Sequence, residues 1–126
     1  MIDKILLVGT GGFIGSAMRY LVQVYASRLI STTLPLGTFL VNIIGCFLIG
    51  LVFGISERSN LMSPEWRIFL TVGFCGGFTT FSTFAFDNLM LLKENSLFYF
   101  LFYASGSLVL GILAVYLGIV ITRLII

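Results

Sequence analysis

Four apolar runs, at about residues 4–25, 37–55, 67–92 and 96–123, take up most of a chain of 126 residues. At about 1.5 Å of rise per helical residue, each is long enough to cross a bilayer. A composition that is 59% hydrophobic and 10% charged leaves too little polar surface to coat a soluble domain of this size. The fold class that follows is all-α, an integral membrane protein of four helices with residues 1–126 as a single transmembrane domain. Asp3 and Lys4 before the first run imitate the start of a signal peptide. The run lacks a clean small-x-small cleavage site and carries Arg19, so it reads as a retained first helix.

The third run is the unusual one. Its middle reads Gly73-Phe74-Cys75-Gly76-Gly77-Phe78-Thr79-Thr80-Phe81-Ser82-Thr83-Phe84. Glycine costs about 1 kcal/mol relative to alanine inside a helix, so paired glycines followed by two β-branched hydroxyl residues mark an interruption near the middle of the span. Opened backbone at membrane depth is tolerated only where protein buries it or water reaches it. A break here therefore marks a site.

Charge placement bears on assembly. Lys4, Arg58, Arg67 and Arg123 fall near one membrane face, and Arg28, Lys93 and Arg19 near the other. Orientation normally follows an excess of Lys and Arg on one side, and here that excess is almost nil. Such a chain can insert both ways, which leads to an antiparallel, dual-topology homodimer surrounded by membrane lipid. A net charge of +2 spread this thinly describes no nucleic-acid surface. With no histidine and only Cys46 and Cys75, there is no zinc or disulfide framework, and both cysteines read as packing residues.

Several polar residues lie inside the spans. Gly9-Thr10-Gly11-Gly12-Phe13-Ile14-Gly15 looks like a phosphate loop but fails as GxGxxG at Ile14 and lacks a βαβ setting. Its small residues suit close helix packing instead. Arg19 is costly in a span unless it snorkels to the interface or lines a watery vestibule. Asn42, in Gly37-Thr38-Phe39-Leu40-Val41-Asn42, must face another helix or a water-filled pore, because an unpartnered amide in hydrocarbon costs several kcal/mol. Phe81 and Phe84, three apart, share a helix face, and their ring edges carry partial positive charge. With the Asn42 amide nearby they can receive an anion without a full cation that would hold it too tightly. Asp87 falls near the end of the span, where water solvates it. On the fourth run Tyr103, Ser107 and Gly111, at i, i+4 and i+8, set one face apart from lipid.

These residues carry a resemblance. The run Gly37 to Asn42, the glycine pair with Thr79-Thr80-Phe81-Ser82-Thr83-Phe84, and Gly12-x-x-Gly15 before Arg19 closely resemble the Fluc (CrcB) fluoride channels over the whole chain. The resemblance implies passive export of fluoride from the microbial cytoplasm across the cell inner membrane, by a dual-topology antiparallel homodimer with two pores and a central structural sodium ion. It makes Asn42 the pore asparagine and Phe81 and Phe84 the rings that face fluoride. Gly76 and Thr79 match the positions whose backbone carbonyls hold sodium. Tyr103 and Ser107 match a polar track, with Thr80, Ser82 and Thr83 as polar neighbours, and Arg19 matches a basic vestibule residue. The departure is Gly111, where members of the family often carry a hydroxyl; water must replace that contact here.

The main alternative is a small four-span, dual-topology proton-coupled exporter. That chemistry needs a carboxylate deep in a span, and Asp87 is the only marginal candidate. A structural subunit of a larger assembly leaves the paired glycines, Asn42 and the phenylalanine pair unexplained. An enzyme is not expected, for the chain has no nucleophile with a base, no metal cluster and no phosphate loop.

Overall fold

The computed structural model describes residues 1–126, and every regular element in it is helical. Helix α1 spans Ile2–Leu29 and α2 spans Leu36–Arg58. The third span runs from Pro64 to Lys93 in pieces: α3 (Pro64–Ile68), a π-helical turn (Phe69–Cys75), α4 (Gly76–Phe78) and α5 (Phe81–Lys93). Helix α6, Leu97–Ile125, closes the chain. Four helices are thus long and apolar enough to cross a membrane, the third of them bent. The first three extend one to four residues beyond the apolar runs that announce them, and α6 runs two residues past the end of its own.

The ends follow local chemistry. Ser63 Oγ accepts from the Trp66 amide at 3.3 Å and Pro64 occupies the first turn, where its missing N–H costs nothing. Between α5 and α6 the chain turns tightly through Asn95, whose φ of 57° is a left-handed conformation that asparagine tolerates. The two helices therefore form an antiparallel hairpin.

Only 20 of 126 residues are buried, and leucines, isoleucines and phenylalanines point outward along every span, as lipid-facing helices require. What holds the helices together is close backbone approach. Helix α6 packs chiefly on α2, where a Cβ on Gly118 would lie 2.5 Å from the Phe47 carbonyl oxygen. Helix α1 packs chiefly on the first half of the third span. A Cβ on Gly11 would stand 2.7 Å from the Phe69 carbonyl oxygen, and one on Gly15 would collide with the Phe74 carbonyl. The packing role read from Gly11 and Gly15 is what the fold uses.

The interruption lies two residues later than the glycine pair. Gly76 keeps helical angles (φ −61°, ψ −37°), and α4 ends only at Phe78. Extended backbone occupies Thr79 (φ −85°, ψ 159°) and Thr80 (φ −150°, ψ 116°). Gly77 serves contact rather than rupture, since a Cβ there would sit 2.6 Å from the Gly12 carbonyl oxygen. The π-helical turn is a second irregularity, absent from the reading of the sequence.

Candidate functional site

At the break, the chain must satisfy backbone groups that a continuous helix would have paired. The Thr79 amide still reaches the Cys75 carbonyl at 3.0 Å, and its hydroxyl donates to the same oxygen at 2.8 Å. The Thr80 amide turns away and donates to Asn42 Oδ1 at 2.8 Å, while Asn42 Nδ2 donates to the Thr80 carbonyl at 3.2 Å. One side chain of α2 thus satisfies both backbone groups of Thr80. Asn42 is placed for this by Gly45, one turn later, where a Cβ would run into Thr79 Cγ2.

The Thr80 hydroxyl then starts the second half. Its oxygen accepts from the Thr83 amide at 3.2 Å, as an N-cap does, and lies 3.2 Å from Thr83 Oγ1 and 3.3 Å from Ser82 Oγ. Three hydroxyls therefore cluster on the break.

Beside it opens a cleft of about 340 Å³, bordered by Asn42, Thr79, Thr80, Phe81, Phe84 and Ser107 together with apolar and small residues of α2 and α6. No charged side chain lines it. The Phe81 and Phe84 ring centroids are 6.0 Å apart and tilted by 43°. Ser107 borders the cleft, and its Oγ is buried without a hydrogen-bond partner. Asn42 Nδ2 keeps a second hydrogen after its bond to Thr80. The site can therefore present several partial positive charges and no full one.

Other residues singled out from sequence lie around this centre. Tyr103 is buried, its ring 5.1 Å from that of Phe84, and its hydroxyl donates to Asp87 Oδ2 at 3.3 Å. It sits outside the lining of the cleft and behind Phe84. Asp87 is thus partnered by a side chain rather than left to interfacial water alone. Gly111 is buried, and a Cβ there would meet Cys46 Sγ at 3.4 Å, an ordinary contact. Arg19 is half-buried and lies outside the lining of the cleft; its Nε donates to the Gly77 carbonyl at 3.0 Å. Phe81 is 79% exposed, and Gly76 is exposed too, both in the middle of a span.

The break also leaves carbonyl oxygens available. In an unbroken helix the Thr80 amide would bond the Gly76 carbonyl, but it is committed to Asn42. Gly76 and Thr79 thus offer backbone oxygens of the kind a hard cation takes, and no thiolate or imidazole is needed. The donor set fits a hard cation.

Two polar partners escaped the sequence reading. Gln23 Nε2 donates to Thr38 Oγ1 at 3.3 Å, tying α1 to the start of α2, and Thr38 is buried. Thr38 stands one turn before Asn42 on the same helix face, a spacing that could have marked it.

Comparison with known proteins agrees with this architecture. Residues 6–119 match the family described as CrcB-like protein, Camphor Resistance (CrcB). A protein of Chlorobium phaeobacteroides (strain BS1) named fluoride-specific ion channel FluC is 47% identical over 120 residues, covering 95% of this chain and 93% of that protein. A protein of the same name from Chlorobium chlorochromatii is 46% identical over 126 residues, covering 98% and 97%. One from Leptospira interrogans serovar copenhageni, again of that name, is 44% identical over 116 residues, covering 92% and 91%.

Proposed function

The chain belongs to the CrcB-like family, and from that premise we propose that it is a fluoride-selective channel, a multi-pass protein of the cell inner membrane through which fluoride leaves the cytoplasm passively. The observation that carries this reading is the make-up of the cleft: an amide donor, an unpartnered hydroxyl and two phenylalanine rings border it, and no charge does. Fluoride is small and strongly hydrated, so a pore must replace its water with several donors at close range. It must also release the ion, and partial charges allow that where a lysine or arginine would bind too firmly. Asn42 would donate to the ion, the ring edges of Phe81 and Phe84 would face it, and Ser107 would join them by turning its hydroxyl into the cleft. Thr80, Ser82, Thr83 and Tyr103 extend a polar track from this point.

A sodium ion at the break completes the reading. Gly76 and Thr79 would hold it through their carbonyls, and when bound it supplies a fixed positive charge that draws anions towards the cleft. An antiparallel homodimer brings two copies of the break together. Two features support it: the near-equal distribution of Lys and Arg between the faces, and the exposure of Phe81 and Gly76 in mid-span, where lipid gives a bare carbonyl no partner. A proton-coupled exporter is not favoured. Its one candidate carboxylate, Asp87, is bonded to Tyr103 and lies outside the cleft.

The reading is tested in cells. Expression in a bacterial strain unable to export fluoride should restore growth in fluoride medium, and the Phe81→Ile, Phe84→Ile double variant should not. Failure of the unaltered chain to rescue growth would contradict the assignment.

A further inference from the structure

Gly11, Gly15 and Arg19 stand at i, i+4 and i+8 on α1, one continuous stripe. The two glycines bring the backbone of the third span into contact, up to the Phe78 amide, which lies 2.9 Å from a Cβ placed on Gly15. Arg19 is the next member of the stripe, and it meets the end of that half-helix: Nε donates to the Gly77 carbonyl at 3.0 Å. A basic side chain on the last carbonyls of a helix pairs an orphan acceptor and opposes the negative end of the dipole. Gly77 meets α1 a second time, since a Cβ placed on it would lie 2.6 Å from the Gly12 carbonyl oxygen.

We infer that Arg19 is a positioning residue for the cation site: its Nε–H holds the Gly77 carbonyl towards α1 and away from the cation, to which the Gly76 and Thr79 carbonyls turn. The role rests on the sodium reading given above. It differs from a vestibule charge that attracts anions, because it depends on an N–H at one position along the side chain and not on charge. Glutamine distinguishes the two, since its Nε2 lies the same number of bonds from Cα as arginine Nε and it is neutral. Lysine does the converse, placing a methylene at that position and keeping the charge. Methionine removes both.

The test uses the purified full-length protein in detergent, with sodium titrated against N-methylglucamine and the thermal unfolding midpoint as readout, followed by fluoride efflux from liposomes at matched sodium. Sodium should raise the midpoint of the unaltered protein, and Arg19→Gln should half-saturate close to it. Arg19→Met and Arg19→Lys should each need about tenfold more sodium, the loss typical of a partner that orients a metal ligand. Should Arg19→Met fail to assemble, the lysine and glutamine variants carry the same contrast. Unchanged sodium dependence in all variants, or glutamine and methionine shifting alike, would overturn the positioning role while leaving the sodium site intact. Absence of any sodium effect on the unaltered protein would remove the cation reading itself, and this role with it.

Discussion

Asn42 and Thr80, 38 positions apart in sequence, exchange two hydrogen bonds, the Thr80 amide donating to Asn42 Oδ1 at 2.8 Å and Asn42 Nδ2 donating to the Thr80 carbonyl at 3.2 Å. The exchange is what a peptide group offers its neighbour in a sheet, supplied here by an amide side chain. It lets the third span break without leaving Thr80 unsatisfied, and it fixes the amide at the edge of the cleft. In the proposed channel, structure and passage would therefore depend on the same side chain.

Replacing that amide should reveal both dependences. Asn42→Asp removes the donor to the Thr80 carbonyl and places a negative charge in the anion path. A buried acceptor left unpaired costs about 1–3 kcal/mol. Lower thermal stability and loss of fluoride flux are expected, and an aspartate variant with unaltered flux in liposomes would contradict the role of Asn42.

The two rings should separate. Phe81 is 79% exposed in the single chain, so Phe81→Ile should leave the protomer's own packing intact and lower flux. Phe84 also packs on Tyr103, 5.1 Å between centroids, an aromatic contact worth about 0.5–1.5 kcal/mol. Phe84→Ile should therefore lower flux and unfold somewhat earlier. Full flux in both variants would reduce the rings to packing.

Close approach between α1 and the third span predicts an asymmetry among glycines. Gly15→Ala sets a Cβ against the Phe74 carbonyl, and overpacking of this kind costs about 1–3 kcal/mol. Gly106→Ala meets nothing within 4 Å and should be neutral or slightly stabilising. Thermal unfolding of the two variants side by side checks this, and equal midpoints would count against the packing scheme.

Much of this was legible in the sequence, for physical reasons that differ by residue. Hydropathy marks the four spans because lipid demands it, and Ser63-Pro64 marks a helix start because the orphan amides there need an acceptor. Asn42, Phe81 and Phe84 stood out because an amide is costly in hydrocarbon and because ring spacing fixes a common face. The break falls within the run of glycines and threonines that marks it, at Thr79 and Thr80 rather than at the glycines. Glycine weakens a helix, but Gly77 is spent on contact with Gly12, and the rupture falls where Asn42 can take over the backbone. That partnership is tertiary, as is the bond from Arg19 to Gly77, and no local pattern encodes either. The π-helical turn likewise has no signature in the residues that form it.

Topology yields a further prediction. With Lys and Arg almost balanced between the two faces, tags on the termini should be found on both sides of the membrane in comparable amounts. A single orientation would remove the antiparallel dimer and require another cover for Phe81 and Gly76.

Efflux from liposomes, followed with ion-selective electrodes, tests the channel reading most directly. Fluoride should leave rapidly, chloride should stay, and an imposed pH gradient should leave the fluoride rate unchanged. Chloride leaving as fast as fluoride, or fluoride moving only down a proton gradient, would contradict a passive pore built from an amide, hydroxyls and ring edges.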